Sequence, residues 1–174
     1  HASVLLQFLD AASNMLISYE SPWMWTNATA GAWSNLVAIG VAPRGTKYGR
    51  TIIGLFGVTN SYSGSVWFDD TTQRLVSSTG TVAGLLHNPG FDDGPSGNAY
   101  NLQQSTNLPF WTWLGGTNAG FITTSYLYDG VQSLAIVYPS NLMAQSFAVT
   151  TGRVYTYDGY IYTPAASKLT GSAY

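Results

Sequence analysis

The sequence predicts an all-β fold, an antiparallel β-sandwich or jelly-roll-like domain occupying residues 1–174 as a single domain. Three observations predict it. Apolar runs of 5–11 residues, rich in Val, Ile, Thr and aromatics, recur along the whole chain. Clusters of Gly, Asn, Asp, Ser and Thr separate them, the punctuation of a sandwich or barrel. Helical spacing of apolar residues occurs in one stretch only, near the start. A chain of 174 residues buries close to ~70% of its unfolded surface. It therefore needs no disulfide, and with no cysteine it can form none.

Taken in order, the first segment is the ambiguous one. In "SVLLQFLDAASNML" the residues Leu5, Phe8, Leu9, Ala12 and Leu16 follow a partial 3–4 spacing, which predicts one short N-terminal helix. The competing reading is a strand, a turn at "DAASN", and a second strand. Strands follow at "NLVAIGVA" (35–42), "RTIIGLFGVT" (50–59), "GSVWFD" (64–69) and "QRLVSS" (73–78). Asp69-Asp70 between the last two reads as a hairpin turn. The second half continues with "AGLLH" (83–87), "NLPFWTWL" (107–114), "AGFITTSYLYD" (119–129), "QSLAIVY" (132–138), "AQSFAVTTG" (144–152) and "RVYTYDGYIYT" (153–163). Asp158-Gly159 predicts another hairpin, with Tyr155 and Tyr157 on one strand face and Tyr160 and Tyr162 on another. Asp129-Gly130 offers a similar turn after the same Tyr-x-Tyr lead-in. "PWMWTNATAGAW" (22–33) and "PFWTWLGGTNAGF" (109–121) share a weak echo, which a duplicated half-domain explains and chance in a Gly/Asn/Thr-rich sequence explains nearly as well. The turn-rich stretch 87–107 reads as a long loop, functional or mobile.

Charge narrows function. Charged residues are 8% of the chain, against about 25% in an ordinary globular domain. Hydroxyls and amides must cover the surface, and they are cheaper to desolvate than ions. Such a surface favours packing against neighbours or binding neutral partners such as sugars. A net charge of −2 with six scattered Lys and Arg argues against nucleic acid, which demands a basic patch. The apolar windows are too short to cross a membrane as helices, so no membrane insertion is expected. The chain opens on His1 without a starting Met, and the expectation is a processed or excised chain or a tag remnant at "HAS".

Three sets of residues invite chemistry. Trp23 with Trp25, and Trp111 with Trp113, form two W-x-W pairs, each behind a proline. On strands each pair is a one-faced aromatic strip, fit to stack on sugar rings or to fill a core. Packing weighs somewhat heavier, and Tyr155 and Tyr157 join the pairs as ligand or interface residues. The loop "GFDDGPSGN" supplies Asp92, Asp93, Ser96 and Asn98 as hard oxygen donors for calcium, although its spacing is not that of an EF-hand and a solvated turn is the plainer reading. His1 and His87 are the only histidines. An N-terminal histidine with a second one is the ligand set of a copper brace, here without the other marks of such enzymes. Hydrolytic chemistry lacks its parts. Glu20 is the only glutamate, no G-x-S-x-G occurs, and Gly-rich stretches lack a phosphate-binding Lys. Asn27 opens a glycosylation sequon.

The expectation is a non-enzymatic domain, extracellular or on a virion or cell surface. It self-assembles as a homo-oligomer and binds a host receptor or glycan, as a coat protrusion, fibre or filament subunit does. No cofactor is expected, and calcium is the one optional candidate. The alternatives are a soluble secreted lectin or carbohydrate-binding module using exposed W-x-W strips, and a copper redox enzyme using His1 and His87.

Overall fold

Residues 2–20 form two strands, not a helix. The computed structural model describes residues 1–24, 31–57, 64–77, 80–82, 84–93, 110–114, 120–137 and 141–164. Strand β1 (Ala2–Leu9) turns back through Asp10 into β2 (Met15–Glu20). The Asp10 carboxylate fixes that turn, accepting from the Ala12 and Asn14 N–H groups at 2.8 and 2.9 Å. The partial helical spacing misleads for a physical reason. β1 lies between β2 and β4 and is buried on both faces except at Leu5. A strand covered on both sides has no polar face, so strict alternation disappears.

The remaining strands are β3 (Trp33–Val41), β4 (Tyr48–Leu55), β5 (Val66–Ser77), β6 (Gly80–Val82), β7 (Thr112–Trp113), β8 (Gly120–Thr123), β9 (Ser133–Ile136), β10 (Asn141–Ala148) and β11 (Val154–Tyr162). They form two antiparallel sheets and no helix is present among the described residues. The first sheet has five strands in the order β2-β1-β4-β10-β7. The second has six, in the order β3-β11-β5-β9-β8 with β6 alongside β5. The all-β sandwich read from the sequence is the fold.

The core lies between the sheets. Val4, Leu6 and Phe8 of β1 and Ile53, Met143 and Phe147 of the first sheet meet Leu36, Ala38, Phe68, Leu134, Tyr155, Tyr157 and Ile161 of the second. Two glycines admit aromatic rings. The Tyr19 ring lies where a Cβ on Gly40 would stand, and the Phe147 ring does the same at Gly49.

Two expected hairpins are continuous strand instead. Asp69-Asp70 lies inside β5, and Asp158-Gly159 lies inside β11. Between Asp158 and Tyr160 of β11 the β5 register moves from Thr72 to Asp69, so β5 carries one extra residue there. That is a β-bulge, with Asp70 at φ +42°. It also changes which residues face inward. Before it, Val66 and Phe68 face the core. After it, Thr71 and Gln73 are the buried positions and Leu75 packs on the core. Gly159 is needed for close approach, because a Cβ there would come within 3.0 Å of Thr71 Cγ2. Asp158 forms an ion pair with Arg74. The third pair, Asp129-Gly130, does turn the chain, with Gly130 at φ +66°, in the 124–132 connection between β8 and β9.

An aromatic shelf beside an acidic cavity as the candidate functional site

The outer face of the second sheet gathers aromatic rings. Antiparallel partners share a face. Tyr162 lies opposite both Trp33 and Trp67, while Tyr160 lies opposite Asn35 and Asp69. The 124–132 loop folds over this surface and adds two more rings. Tyr128 stacks on Tyr160 with centroids 3.5 Å apart, and Tyr126 stacks on Tyr162 at 4.8 Å. Trp33 reaches Tyr162 at 5.3 Å and Tyr128 at 5.9 Å, while Trp67 meets Tyr126 at 5.0 Å. Trp67 is buried beneath the group. Tyr126 and Tyr128 stay 46% and 43% exposed, so the outer side of the cluster is wet.

A cavity of about 360 Å³ opens beside the shelf, lined by Asp69, Asp70, Asn88, Asp92, Asp93 and Asp129 among others. The carboxylates at its wall hold the loops. Asp69 Oδ2 accepts from the Tyr128 and Asp129 N–H groups at 2.9 and 3.3 Å, and its Oδ1 accepts from Asp70 at 2.8 Å. Asp92 Oδ1 accepts from Val131 and Gln132 at 2.8 and 2.9 Å. Asn88 exchanges bonds with the backbone of Asp93. Burial pushes the Asp69 carboxyl up to about 6, against the three N–H bonds and with the Asp92 charge adding to the rise. Its bond to Tyr160 and the nearby charges of Asp70 and Asp129 push the Tyr128 hydroxyl up to about 12. A raised carboxyl in a cavity is a general-acid signature. Asp69, however, is 1% exposed with both oxygens engaged by backbone, so its role is to anchor the loop.

Of the residues singled out from sequence, Asp92 and Asp93 line this cavity, and the aromatic and histidine candidates lie elsewhere or outside the described residues. Trp111 is in the core, its ring 5.2 Å from Phe91 and its Nε1 donating to the Asn88 carbonyl at 2.9 Å. Trp113 is half-buried against that core. The second W-x-W pair therefore packs and presents no strip. Trp23 is 52% exposed and stacks on His1 at 4.3 Å. Trp25, Asn27, Ser96 and Asn98 lie outside the described residues, as does most of the 87–107 loop. Tyr155 and Tyr157 do share a face, but it is the inner one. Both are buried between the sheets, which removes them from a surface ligand. Tyr160 and Tyr162 occupy the outer face instead.

The metal readings gain no cluster. No group of three or more His, Asp or Glu suited to a metal occurs among the described residues. Asp92 is engaged by backbone, and the Asp93 N–H bonds Asn88. His1 donates its backbone nitrogen to the Phe56 carbonyl at 2.8 Å and bonds Glu20 through Nε2 at 3.1 Å. His87 stacks on Phe110 at 4.7 Å.

The signal for the shelf was present but incomplete. The shared face of Tyr160 and Tyr162 is legible from a period of two. That Trp33, Trp67 and the 126–128 tyrosines meet them depends on register and on a loop folding back. No protein-family model matches this chain, and no curated protein or solved structure matches it significantly. The chemistry of the shelf is therefore the guide. Flat rings stack on the C–H faces of sugars, and carboxylates and amides nearby accept from hydroxyl groups.

Proposed function

We propose that this chain is a non-enzymatic β-sandwich domain, displayed outside the cell or on a virion, that binds a glycan or a glycan-bearing receptor on its aromatic shelf. One observation carries the reading: stacked, half-exposed rings of Trp33, Tyr126, Tyr128, Tyr160 and Tyr162 stand beside a cavity rich in hydrogen-bond acceptors. A core needs no such rings on its outer side. A ligand site is commonly mostly apolar with a few placed polar groups, which is this composition. The low charge of the chain supports it, since a neutral surface meets a neutral sugar at small desolvation cost.

The test is a glycan panel probed with the wild-type domain and with Tyr126→Ala and Tyr128→Ala. Both side chains are exposed, so each variant should keep a melting temperature within a few degrees of wild type. Removing one stacked ring should weaken sugar binding by roughly tenfold or more, the scale of an aromatic contact of about 1.5 kcal/mol. Sugar affinity unchanged in both variants would sink the reading. A second reading, self-assembly, is favoured by a separate observation. Val37, Ile39 and Val41 are exposed on the outer side of β3, and Val76 is exposed on β5. The first three alternate along an uncharged edge strand.

A further inference from the structure

We infer that the 124–132 loop is a pH-sensitive latch, closed over the second sheet by the buried carboxylate of Asp69 and drawn tighter by acid. The geometry is a two-point clamp. Asp69 holds the loop at Tyr128 and Asp129, and Asp92 holds it at Val131 and Gln132. Between them Gly130 fits closely over the Asp92 carboxylate, leaving no room for a Cβ. The loop's two tyrosines complete the stack on Tyr160 and Tyr162. Opening the loop would therefore uncover Asp69 and dismantle half the shelf together.

The loop covers an acid that is almost wholly shielded from water, 1% exposed. The groups around it are of one sign. Asp70 follows it on β5, Asp92 and Asp93 come from the 84–93 segment, and Asp129 comes from the loop itself. The tyrosine hydroxyls of Tyr128 and Tyr160 are the other titratable groups there. Among the described residues no Lys or Arg lines the cavity, and Arg74, further along β5, is engaged by Asp158. A carboxylate buried among carboxylates favours its protonated form. With the loop open, Asp69 returns to water and to an ordinary carboxyl range. The direction follows by linkage. The closed state binds the proton more tightly than the open one, so closure strengthens as pH falls through about 6, the value set by burial, and weakens above it.

Because Tyr126 and Tyr128 belong to the proposed ligand shelf, the latch would regulate that shelf, and this consequence alone rests on the glycan reading. The test needs no ligand. Amide hydrogen exchange of the intact chain is followed from pH 7.5 to pH 5 and expressed as protection relative to each amide's intrinsic rate. Protection at Tyr128 and Asp129 should rise several-fold on acidification, with about tenfold as the ceiling set by stopping at pH 5, one unit below about 6. Amides in β1 and β4 should stay flat over the same range. In Asp69→Asn the same loop amides should lose the pH dependence. Flat protection at Tyr128 and Asp129 in wild type overturns the latch whether or not the Asn variant folds. An unaltered midpoint in Asp69→Asn overturns the assignment to Asp69. Loss of sugar binding in the tyrosine variants concerns the shelf and leaves this result untouched.

Discussion

Trp111 illustrates how a single residue type serves opposite ends. Its indole is 4% exposed, packs on Phe91, and donates to the Asn88 carbonyl. That bond ties the 84–93 segment, which carries Asp92 and Asp93, to the core. Trp111→Ala removes the largest side chain there and leaves the Asn88 carbonyl without its indole donor. The expected cost is about 3–5 kcal/mol of unfolding free energy, the range for aromatic truncation in a core. Trp113→Ala, half-buried, should cost clearly less. Denaturant unfolding of the two variants measures both, and equal small losses would show that Trp111 is not the core residue its burial implies. Trp23, exposed, and Trp111, buried, look alike in sequence because a strand's period says that two residues share a face, not which face is wet. Wetness is decided by the opposite sheet, a long-range fact. The same gap explains Tyr155 and Tyr157, whose shared face was read and whose burial was not.

At the scale of elements, turn chemistry was readable and its use was not. Asp-Asp and Asp-Gly signal backbone freedom, and a hairpin is its commonest purpose. Here Asp70 spends that freedom on a bulge that lets β5 change its inward residues in mid-strand, with Asp69 left on the outer face. Gly159, on the partner strand, spends it on clearance over Thr71. Without the bulge, either Phe68 or Gln73 would face the wrong way, because a one-residue slip inverts a strand. Asp70→Gly should accordingly be tolerated, since glycine adopts positive φ without penalty. Asp70→Val should lose about 1–3 kcal/mol, the cost of forcing a β-branched residue into that region. Thermal melts of the pair decide it. A valine variant as stable as the glycine one would mean that the bulge is not where the register places it. The N-terminal segment taught the converse lesson: a strand buried on both faces loses the alternation by which strands are known, and Leu5, Phe8 and Leu9 then imitate a helix.

For the whole molecule, composition predicted the sandwich because many short runs with polar punctuation leave few other ways to bury apolar surface. Strand order was beyond it, since neighbours such as β1 with β4 and β5 with β11 are far apart in sequence. The same composition bears on assembly. A protein with few charges lacks the repulsion that holds copies apart. The second sheet also leaves Val37, Ile39, Val41 and Val76 exposed on one outer surface, Ile39 at 58%. β3 lies at the end of its sheet and carries neither Lys nor Pro nor any charge, the devices by which edge strands usually resist pairing. If the domain self-associates, this is the surface that supplies the apolar contact, and one charge there should abolish it. Light scattering at micromolar concentration should give a mass above the monomer for wild type. Ile39→Lys should give the monomer at an unchanged melting temperature, because the side chain points outward. A wild-type monomer at that concentration would remove assembly as the domain's role and leave the aromatic shelf to stand alone. An oligomer indifferent to Ile39→Lys would move the interface elsewhere, with the exposed Met15, Leu16 and Ile17 of β2 the next surface to charge.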